Sequence, residues 1–318
     1  MNKKTLGIML LLICSLLAII ILKRQKKDTN KQITIGILQY ASFPALDDAK
    51  KGFLLQIKKD FGENVTIIEH NAQGSITQAQ AIAASFKANK NISAFYAIAS
   101  ASVQALKAEI NDRPIIFAAI TDPNKLHLRE NGTNITGTTD MANIEKQINL
   151  IHKLLPNIKK IAILYNPGEL NSIILVEKMK SELIKYDISF QDNGVNSISD
   201  VAAAAMHAAQ NAEAILIPTD NTISAAFPIV KQIANKANKP IITTWTGEVE
   251  TPLLQFGVDY IQSGIEAANL TKKILIDKLN PAEIEIMTPN SKVLISSVEA
   301  KKFNIIIPQE LKEHVINN

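Results

Sequence analysis

The fold is decided by four short stretches of one pattern: Ile33–Ala45 (ITIGILQYASFPA), Ala94–Leu106 (AFYAIASASVQAL), Ile161–Ser172 (IAILYNPGELNS) and Ala214–Ala225 (AILIPTDNTISA). In each stretch an apolar strand runs into a small polar loop that opens a helix. Two stretches lie in each half of the chain, at matching places. In a parallel sheet flanked by helices such loops gather at the carboxyl ends of the strands, where ligands bind. The pattern therefore predicts two facing lobes with one cleft between them.

Strand and helix signals alternate outward from these stretches to the end of the chain. Strands separated by ten or more helical residues predict βαβ units and a parallel sheet. Helix spacing is clearest over Pro44–Phe61, where apolar residues recur on one face. The expected strands of the first half are Ile33–Gln39, Val65–Glu69, Phe95–Ala99, Ile115–Ile120 and Ile135–Thr138.

The second half repeats this plan, since Ile161–Tyr165 matches Ile33–Leu38 and Pro240 before IITT matches Pro114 before IIFA. Two later strands, Leu254–Asp259 and Val293–Ser297, are expected to cross back and complete the sheets. The fold class predicted is α/β, with two doubly wound parallel-sheet lobes joined by a multi-crossover hinge. The expected division is an N-terminal lobe of residues 33–139 plus about 254–280 and a C-terminal lobe of residues 140–253 plus about 281–318, with residues 1–32 as anchor and linker.

The amino terminus has the character of a membrane signal. Leu6–Leu22 is apolar apart from Gly7, Cys14 and Ser15, and as a helix it would span roughly 26 Å at about 1.5 Å per residue, near the thickness of a bilayer core. Lys3 and Lys4 precede it and no small-residue cleavage site follows. We expect an uncleaved signal anchor, with a cleaved signal as the alternative, and an extracytoplasmic location. The basic KRQKK after the run favours the opposite orientation by a weak margin.

Composition and motifs exclude several classes of protein. Residues 1–27 hold six basic and no acidic residues, so the rest of the chain has 28 basic against 30 acidic residues, a net charge of −2. No basic stripe for nucleic acid is therefore present. Cys14 is the single cysteine, which leaves the soluble part without a disulfide or a thiol nucleophile. The sequence also lacks G-x-S-x-G, a glycine-rich phosphate loop and H-E-x-x-H. We expect neither catalysis nor a cofactor.

Candidate ligand-binding residues in the first half follow strands that end at the predicted cleft. Ser100 and Ser102 open the helix after AFYAIA, and a helix N-terminus with free N–H groups suits a carboxylate or phosphate. Thr121 follows IIFAAI in the neighbouring loop. Ordinary helix capping is the alternative for both serines.

The second half supplies polar candidates at the equivalent loops. Asp220 and Asn221 end the strand AILI, and an aspartate there can hold a ligand ammonium by a charge-assisted hydrogen bond. Asn166 and Asn171 follow the strand IAILY and can hydrogen-bond polar ligand groups. Helix capping is again the alternative for Asp220.

Aromatic residues are few, and several lie in these loops. Tyr40 and Phe43 occupy the first loop, Tyr165 begins the third, and Trp245 follows the strand IITT. Because rings in polar loops are not needed for core packing, they predict a ring-lined pocket for an apolar or aromatic group. The alternative is that Phe43 and Tyr165 pack beneath their own loops.

Taken together, eight motifs in order resemble the ABC-importer substrate-binding proteins of the tryptophan-binding type, which have the periplasmic binding protein type I fold. The resemblance runs from Ile33 to about Pro308 and rests on QYASFPALDDAKKGF, NAQGS, AIASASVQAL, ITDPNKL, NITGTTDM, LLPNIKKIAILYNPGELNS, IPTDNTI and FGVDYIQSG. It implies a two-lobed extracytoplasmic receptor that closes on an amino acid, commonly an aromatic one, and delivers it to a permease.

By position, the resemblance implies roles for single residues. Ser100, Ser102 and Thr121 would take the ligand carboxylate, and Asp220 and Asn221 would face its ammonium. The pocket would be lined by Tyr40, Phe43 and Asn166. Two departures from the family are the absent lipidation motif at Cys14 and the loop TTWTGEVETP, which puts Trp245 near a place where the family usually has an acidic residue.

The sequence thus predicts a monomeric, membrane-anchored solute-binding protein of an ABC importer, with possible ligands such as tryptophan or phenylalanine. A ligand-sensing receptor or regulator component built on the same two lobes is the alternative function.

Overall fold

The computed structural model describes residues 32–130, 132–247 and 251–317. The predicted membrane segment at residues 6–22 lies outside this part of the chain. Within it, none of the helices combines the length and the apolar character needed to span a membrane.

The first sheet has five parallel strands in the order β2-β1-β3-β4-β5. The strands are β1 Ile33–Gln39, β2 Val65–Asn71, β3 Ala94–Ile98, β4 Ile115–Ile120 and β5 Ile135–Thr139. Three helices connect them, namely α1 Pro44–Phe61, α2 Ile76–Ala88 and α3 Ser100–Glu109. Every residue of β3 and β4 is buried, as central strands covered on both faces require.

The second sheet has seven strands in the order β12-β11-β10-β9-β8-β6-β7. Its strands are β6 Lys160–Tyr165, β7 Ser189–Gly194, β8 Ala214–Ile217, β9 Ile241–Thr243, β10 Leu254–Val258, β11 Ser291–Ser296 and β12 Val315–Ile316. The helices that follow in chain order are α4 Ile144–Leu154, α5 Leu170–Lys185, α6 Val201–Asn211, α7 Asn221–Ala225, α8 Phe227–Lys236, α9 Tyr260–Leu275 and α10 Ser297–Lys302. Short 3₁₀ turns lie at Gly62–Asn64, Ile198–Asp200, Pro281–Glu283 and Gln309–His314. The β10–β11 pair is antiparallel.

These two sheets confirm the predicted class of two α/β lobes, but the late segments divide between the lobes differently from the expectation. The expected division assigns the strand at 254–259 to the first lobe, whereas β10 pairs with β9 in the second sheet. The chain crosses to the first lobe only after β10, where α9 packs against α1, β4 and β5. Residues near 281–287 also stay with the first lobe, since Thr138 forms a β-bridge with Met287.

The chain therefore passes between the lobes three times within the described residues: after β5, after β10 and between Met287 and β11. Asp140 is the first residue after β5, and Tyr260 is the first residue of α9. The first crossing leaves the edge strand β5 beside the carboxyl end of β4, since the Asp140 N–H donates to the Ile120 carbonyl, and the second leaves the carboxyl end of β10. The hinge and the cleft are for this reason built from adjacent residues.

Helix α9 closes the first lobe by a close approach to α1. A Cβ atom built at Gly264 would overlap the carbonyl oxygen of Ala49, and one built at Gly52 would overlap that of Ile261. The two glycines let the helix backbones touch, which brings the start of α9, and Tyr260 with it, over the cleft side of the lobe.

Candidate functional site

A narrow cavity lies between the lobes at the carboxyl ends of the strands, where the sequence predicted it. Both lobes contribute to its walls. Seven of the predicted residues line it: Phe43, Ser100, Thr121, Asn171, Asp220, Asn221 and Trp245. Seven further residues, which were not among the predicted ones, also line it: Ala45, Leu46, Ala119, Asp140, Thr219, Ser224 and Tyr260.

The cavity is nearly closed. About 320 Å³ of space free of protein atoms lies between its walls, but only about 10 Å³ of it is wide enough for the centre of a water molecule. A wider chamber, with about 1610 Å³ of space free of protein atoms, lies outside it and shares Asn221 as a wall. A solute can thus reach the inner cavity only when the lobes move apart.

One side of the cavity is apolar. Phe43 and Leu46 line it from the first lobe and Trp245 from the second. Trp245 is 1% exposed and packs edge-on against Phe227, with ring centroids 6.0 Å apart. The Trp245 backbone passes so close to Gly257 that a Cβ atom there would lie 2.8 Å from the Trp245 Cα. The indole is therefore held in place before any ligand arrives.

The N-terminus of α3 forms one end of the polar side. Ser100 is its first residue, lines the cavity and is 9% exposed. The preceding Ala99 has φ 78° and ψ 159°, a conformation that is costly for any residue other than glycine. Such strain is often found at functional sites, and here it turns the chain from β3 directly into the helix.

A buried carboxylate forms the middle of the polar side. Asp140 is 1% exposed and accepts hydrogen bonds from the Thr121 hydroxyl at 3.0 Å and the Tyr260 hydroxyl at 2.9 Å. Burial raises the pKa of Asp140, while the two hydroxyl donors lower it by a smaller amount. Because Thr121 donates its hydroxyl proton to Asp140, in this structure it does not offer that proton to a ligand carboxylate.

Asp220 forms the second-lobe wall and is bound closely by its own loops. It is 1% exposed. Its carboxylate accepts from the Asn166 N–H at 2.6 Å, the Ser172 hydroxyl at 2.5 Å and the Ile223 N–H at 2.8 Å. Burial, followed by the nearby Glu169 carboxylate, raises the pKa of Asp220 to about 7. The capping alternative considered for Asp220 is thus real, since the Ile223 bond caps α7.

Glu169 fixes the residues of the same wall through hydrogen bonds. Its carboxylate accepts from the backbone N–H groups of Asn221 at 2.9 Å and Thr222 at 2.8 Å, and from both of their side chains. The Asn171 amide also donates to it, at 3.2 Å, and to the Thr219 carbonyl at 2.8 Å. The two asparagines that line the cavity are consequently fixed in orientation by one carboxylate.

Three predicted residues lie outside the inner cavity. Tyr40 and Asn166 line the outer chamber instead. The Tyr40 hydroxyl donates to the Gly74 carbonyl at 2.6 Å, and the Asn166 side chain donates to Thr222, so both are held towards the rim. Ser102 is fully buried in the first turn of α3, and its Oγ has no hydrogen-bond partner among the described residues.

Asp140 was missed although a signal for it existed. It follows β5 directly, as Thr121 follows β4, so the rule of strand carboxyl ends applies to it equally. Tyr260 directly follows the predicted strand Leu254–Asp259, so the same rule applies to it, although the sequence does not show that the chain crosses to the first lobe at this point. Among the described residues, no group of three or more histidine, cysteine or acidic side chains could hold a metal ion.

Comparison with known proteins places this architecture in a family. The sequence model described as ABC transporter substrate binding protein matches residues 34–316. A curated relative, the tyrosine-binding protein of Clostridioides difficile (strain R20291), is 34% identical over 289 residues, which is 88% of this chain and 83% of that protein.

Two solved structures add a comparison of lobe arrangement. The ABC domain in complex with L-Trp from Streptococcus pneumonia has a TM-score of 0.85 and 29% identity, covering 90% of this chain and 100% of that one. The ligand-free, open structure of a substrate-binding protein with adhesive properties from Clostridium difficile has a TM-score of 0.68 and 28% identity, covering 90% and 99%. At equal coverage the structure described above is closer to the complex, in keeping with its narrow cavity.

Proposed function

Because this chain belongs to the family of ABC transporter substrate-binding proteins, we propose that it captures an aromatic amino acid in the interlobe cavity and delivers it to an ABC permease. The observation that carries this proposal is the division of the cavity into one apolar and one polar side. A solute that matches both sides has a charged head next to an apolar body. An α-amino acid with a large apolar side chain has this form.

The polar side offers complementary partners for the two charges of an amino acid. The N-terminus of α3, with the Ser100 hydroxyl beside it, suits the carboxylate, since the helix end carries about half a positive charge. The ammonium suits the acidic wall formed by Asp140 and Asp220. Asn171 and Asn221 then supply further hydrogen bonds, and Thr121 holds Asp140 in place. Ser102 lies buried in the first turn of α3.

The apolar side favours a ring. Phe43 and Trp245 approach from opposite lobes, so a flat side chain can be enclosed between them when the lobes close. The relatives support this choice, since one is named for tyrosine and another was solved with L-Trp. Tyr40 and Asn166, at the rim, would meet the ligand first and then cover it.

Membership of this family supports a location outside the cytoplasm. We propose that the chain acts outside the cytoplasm as a monomer, tethered by residues 6–22, and that it releases its ligand unchanged to the permease. Micromolar affinity would require about −8 kcal/mol. Charge-assisted hydrogen bonds at both ends of the head group and burial of one aromatic side chain can supply a free energy of this size.

A screen of the purified full chain against the proteinogenic amino acids tests the proposal. We expect an aromatic amino acid to raise the melting temperature, because a ligand at a hundred times its Kd adds about 2.7 kcal/mol of stability. Trp245 is the single tryptophan of the chain, so its selectively excited fluorescence reports cavity occupancy for ligands other than tryptophan. If sugars or purines stabilise the chain and amino acids do not, the ligand class is wrong although the fold remains.

Ser100→Ala adds a test of the carboxylate site. We expect it to weaken binding about tenfold or more, since the lost donor served a charged group. Ser181→Ala, at an exposed serine of α5, is the matched control and should bind as the wild-type chain does. Unchanged affinity in Ser100→Ala would remove this residue from the proposed site.

A further inference from the structure

Within the proposed function, we infer that Asp140, and not Asp220, receives the ligand ammonium, and that it does so at the two crossings that join the lobes. The inference assigns to a residue on the hinge the role that the family resemblance implied for Asp220. It deepens the proposed function and rests on it.

The surroundings of Asp140 leave acceptor capacity free. A carboxylate has about four lone-pair positions, and among the described residues Asp140 uses two of them, one on each oxygen, for neutral hydroxyl donors. No lysine or arginine of the described chain lines the cavity. A carboxylate that is 1% exposed without a cationic partner is costly to keep ionised. A ligand ammonium in the cavity supplies the missing positive charge.

Asp220 is less free to serve this purpose. Three donors already occupy it, and two of these are backbone N–H groups. One belongs to the first turn of α7 and the other to the loop that follows β6. By the same count Asp220 keeps one free position, on the oxygen that caps α7, against two on Asp140. With less free acceptor capacity and two backbone donors, Asp220 serves mainly to hold two loops of the second lobe together.

The position of Asp140 in the chain also connects ligand binding to the hinge. It is the first residue after β5, and its own N–H donates to the Ile120 carbonyl at 3.0 Å. Its partner Tyr260 begins α9, directly after the crossing from β10. One buried carboxylate thus joins the first and second crossings. A cation bound to that carboxylate acts where the lobes rotate, which links occupancy of the cavity to closure.

A pair of ligands that differ only in the amino group tests the inference. L-Tyrosine and its deaminated analogue 3-(4-hydroxyphenyl)propionate are titrated by calorimetry into the full wild-type chain, Asp140→Asn and Asp220→Asn. L-Tryptophan and indole-3-propionate serve as a second pair. Asparagine keeps the size of aspartate and removes its charge.

We expect Asp140→Asn to weaken L-tyrosine binding about 10- to 100-fold, the range for a hydrogen bond to a charged group, and to change binding of the analogue by less than about threefold. Asp220→Asn, as the matched control, should weaken both ligands by a similar factor, because its effect passes through loop structure. Asp140→Glu, which restores the charge, should recover part of the preference for L-tyrosine over its analogue.

Other outcomes separate the inference from the proposed function. An equal loss for both ligands in Asp140→Asn, or a selective loss in Asp220→Asn, overturns the inference and leaves the amino-acid function standing. Failure of the wild-type chain to bind any amino acid overturns the proposed function and the inference with it. If Asp140→Asn does not fold, the preference measured in Asp140→Glu decides: an unchanged preference together with a selective loss in Asp220→Asn counts against Asp140.

Discussion

At the scale of single residues, the cavity is unusual in carrying two buried carboxylates and no basic side chain among the described residues that line it. Asp140 is held by side-chain hydroxyls from the first lobe and the hinge, whereas Asp220 is held mainly by backbone N–H groups of the second lobe. Since backbone donors are fixed by the fold and hydroxyls can rotate, Asp140 can adapt to a ligand more readily than Asp220.

The raised pKa of Asp220 makes stability depend on pH. Burial and Glu169 raise it from an ordinary value of 3.8 to about 7, so between about pH 4 and pH 7 the folded chain binds more protons than the unfolded chain. Stability contributed by this group is therefore present at low pH and is lost as pH rises through about 7. We expect the melting temperature of the ligand-free chain to rise more on acidification from about pH 8 to about pH 5 than that of Asp220→Asn.

Melting curves of both proteins at several pH values provide the measurement. The difference between the two proteins isolates Asp220 from the other titrating groups, including Asp140, whose pKa is raised as well. Parallel pH profiles in the two proteins would show that Asp220 is ionised throughout this range.

Residues whose signal is local could be predicted from sequence. Ser100, Asp220 and Trp245 each follow a strand of the cleft set, and all three line the cavity. Whether a loop residue faces the inner cavity or the outer chamber could not be predicted. The Tyr40 hydroxyl, for example, points to the outer chamber because it donates to the Gly74 carbonyl, which is 34 residues away in the chain. Ser102 likewise looks equivalent to Ser100 in sequence, but the helix turns it inward.

At the scale of elements, the boundaries of most strands and helices follow from local sequence patterns. The neighbouring strand with which each strand pairs does not. The strand at Ile115–Ile120 and the helix at Pro44–Phe61 were predicted with the bounds that the structure has. The sheet to which β10 belongs was predicted wrongly. Its neighbours β9 and β11 and the position of the crossing after it decide that choice, and no pattern within Leu254–Val258 contains this information.

Close packing of α1 on α9 should be intolerant of a single added methyl group. Gly264→Ala would bring a Cβ atom into the Ala49 carbonyl and the Phe53 N–H, and overpacking of this kind costs about 1–3 kcal/mol or more. We expect a lower free energy of unfolding in denaturant titrations. Gly194→Ala is the matched control, because its Cβ atom would meet only Pro167, at an ordinary 3.6 Å. If Gly264→Ala and Gly194→Ala have the same free energy of unfolding, then α1 and α9 can move apart without a loss of stability, and the prediction is wrong.

At the scale of the whole molecule, the hinge and the cavity are built from the same residues. The described chain crosses between the lobes three times, both lobes line the cavity, and the buried Asp140 carboxylate lies at the hinge. A ligand that contacts both walls binds the closed arrangement better and shifts the equilibrium towards it. The wide outer chamber is lined by Tyr40 on one lobe and by Asn166 and Thr222 on the other, and under the proposed function we expect the ligand to enter through it. Under the proposed function, closure rather than any single contact would present the loaded form to a permease.

Hydrogen exchange can show whether a ligand engages both lobes at once. Saturating L-tyrosine should slow amide exchange in cavity loops of the first lobe and the second lobe together, because closure excludes water and suppresses local opening. A surface far from the cavity, formed by residues 153–158 and 304–306 at the base of the second lobe, is the internal control and should exchange at an unchanged rate. Protection confined to one lobe would contradict a bridging ligand, and protection that included the base would indicate general stabilisation instead of closure. The loops expected to be protected are residues 40–47, 99–103, 119–122, 140–143, 166–172, 219–224 and 243–247.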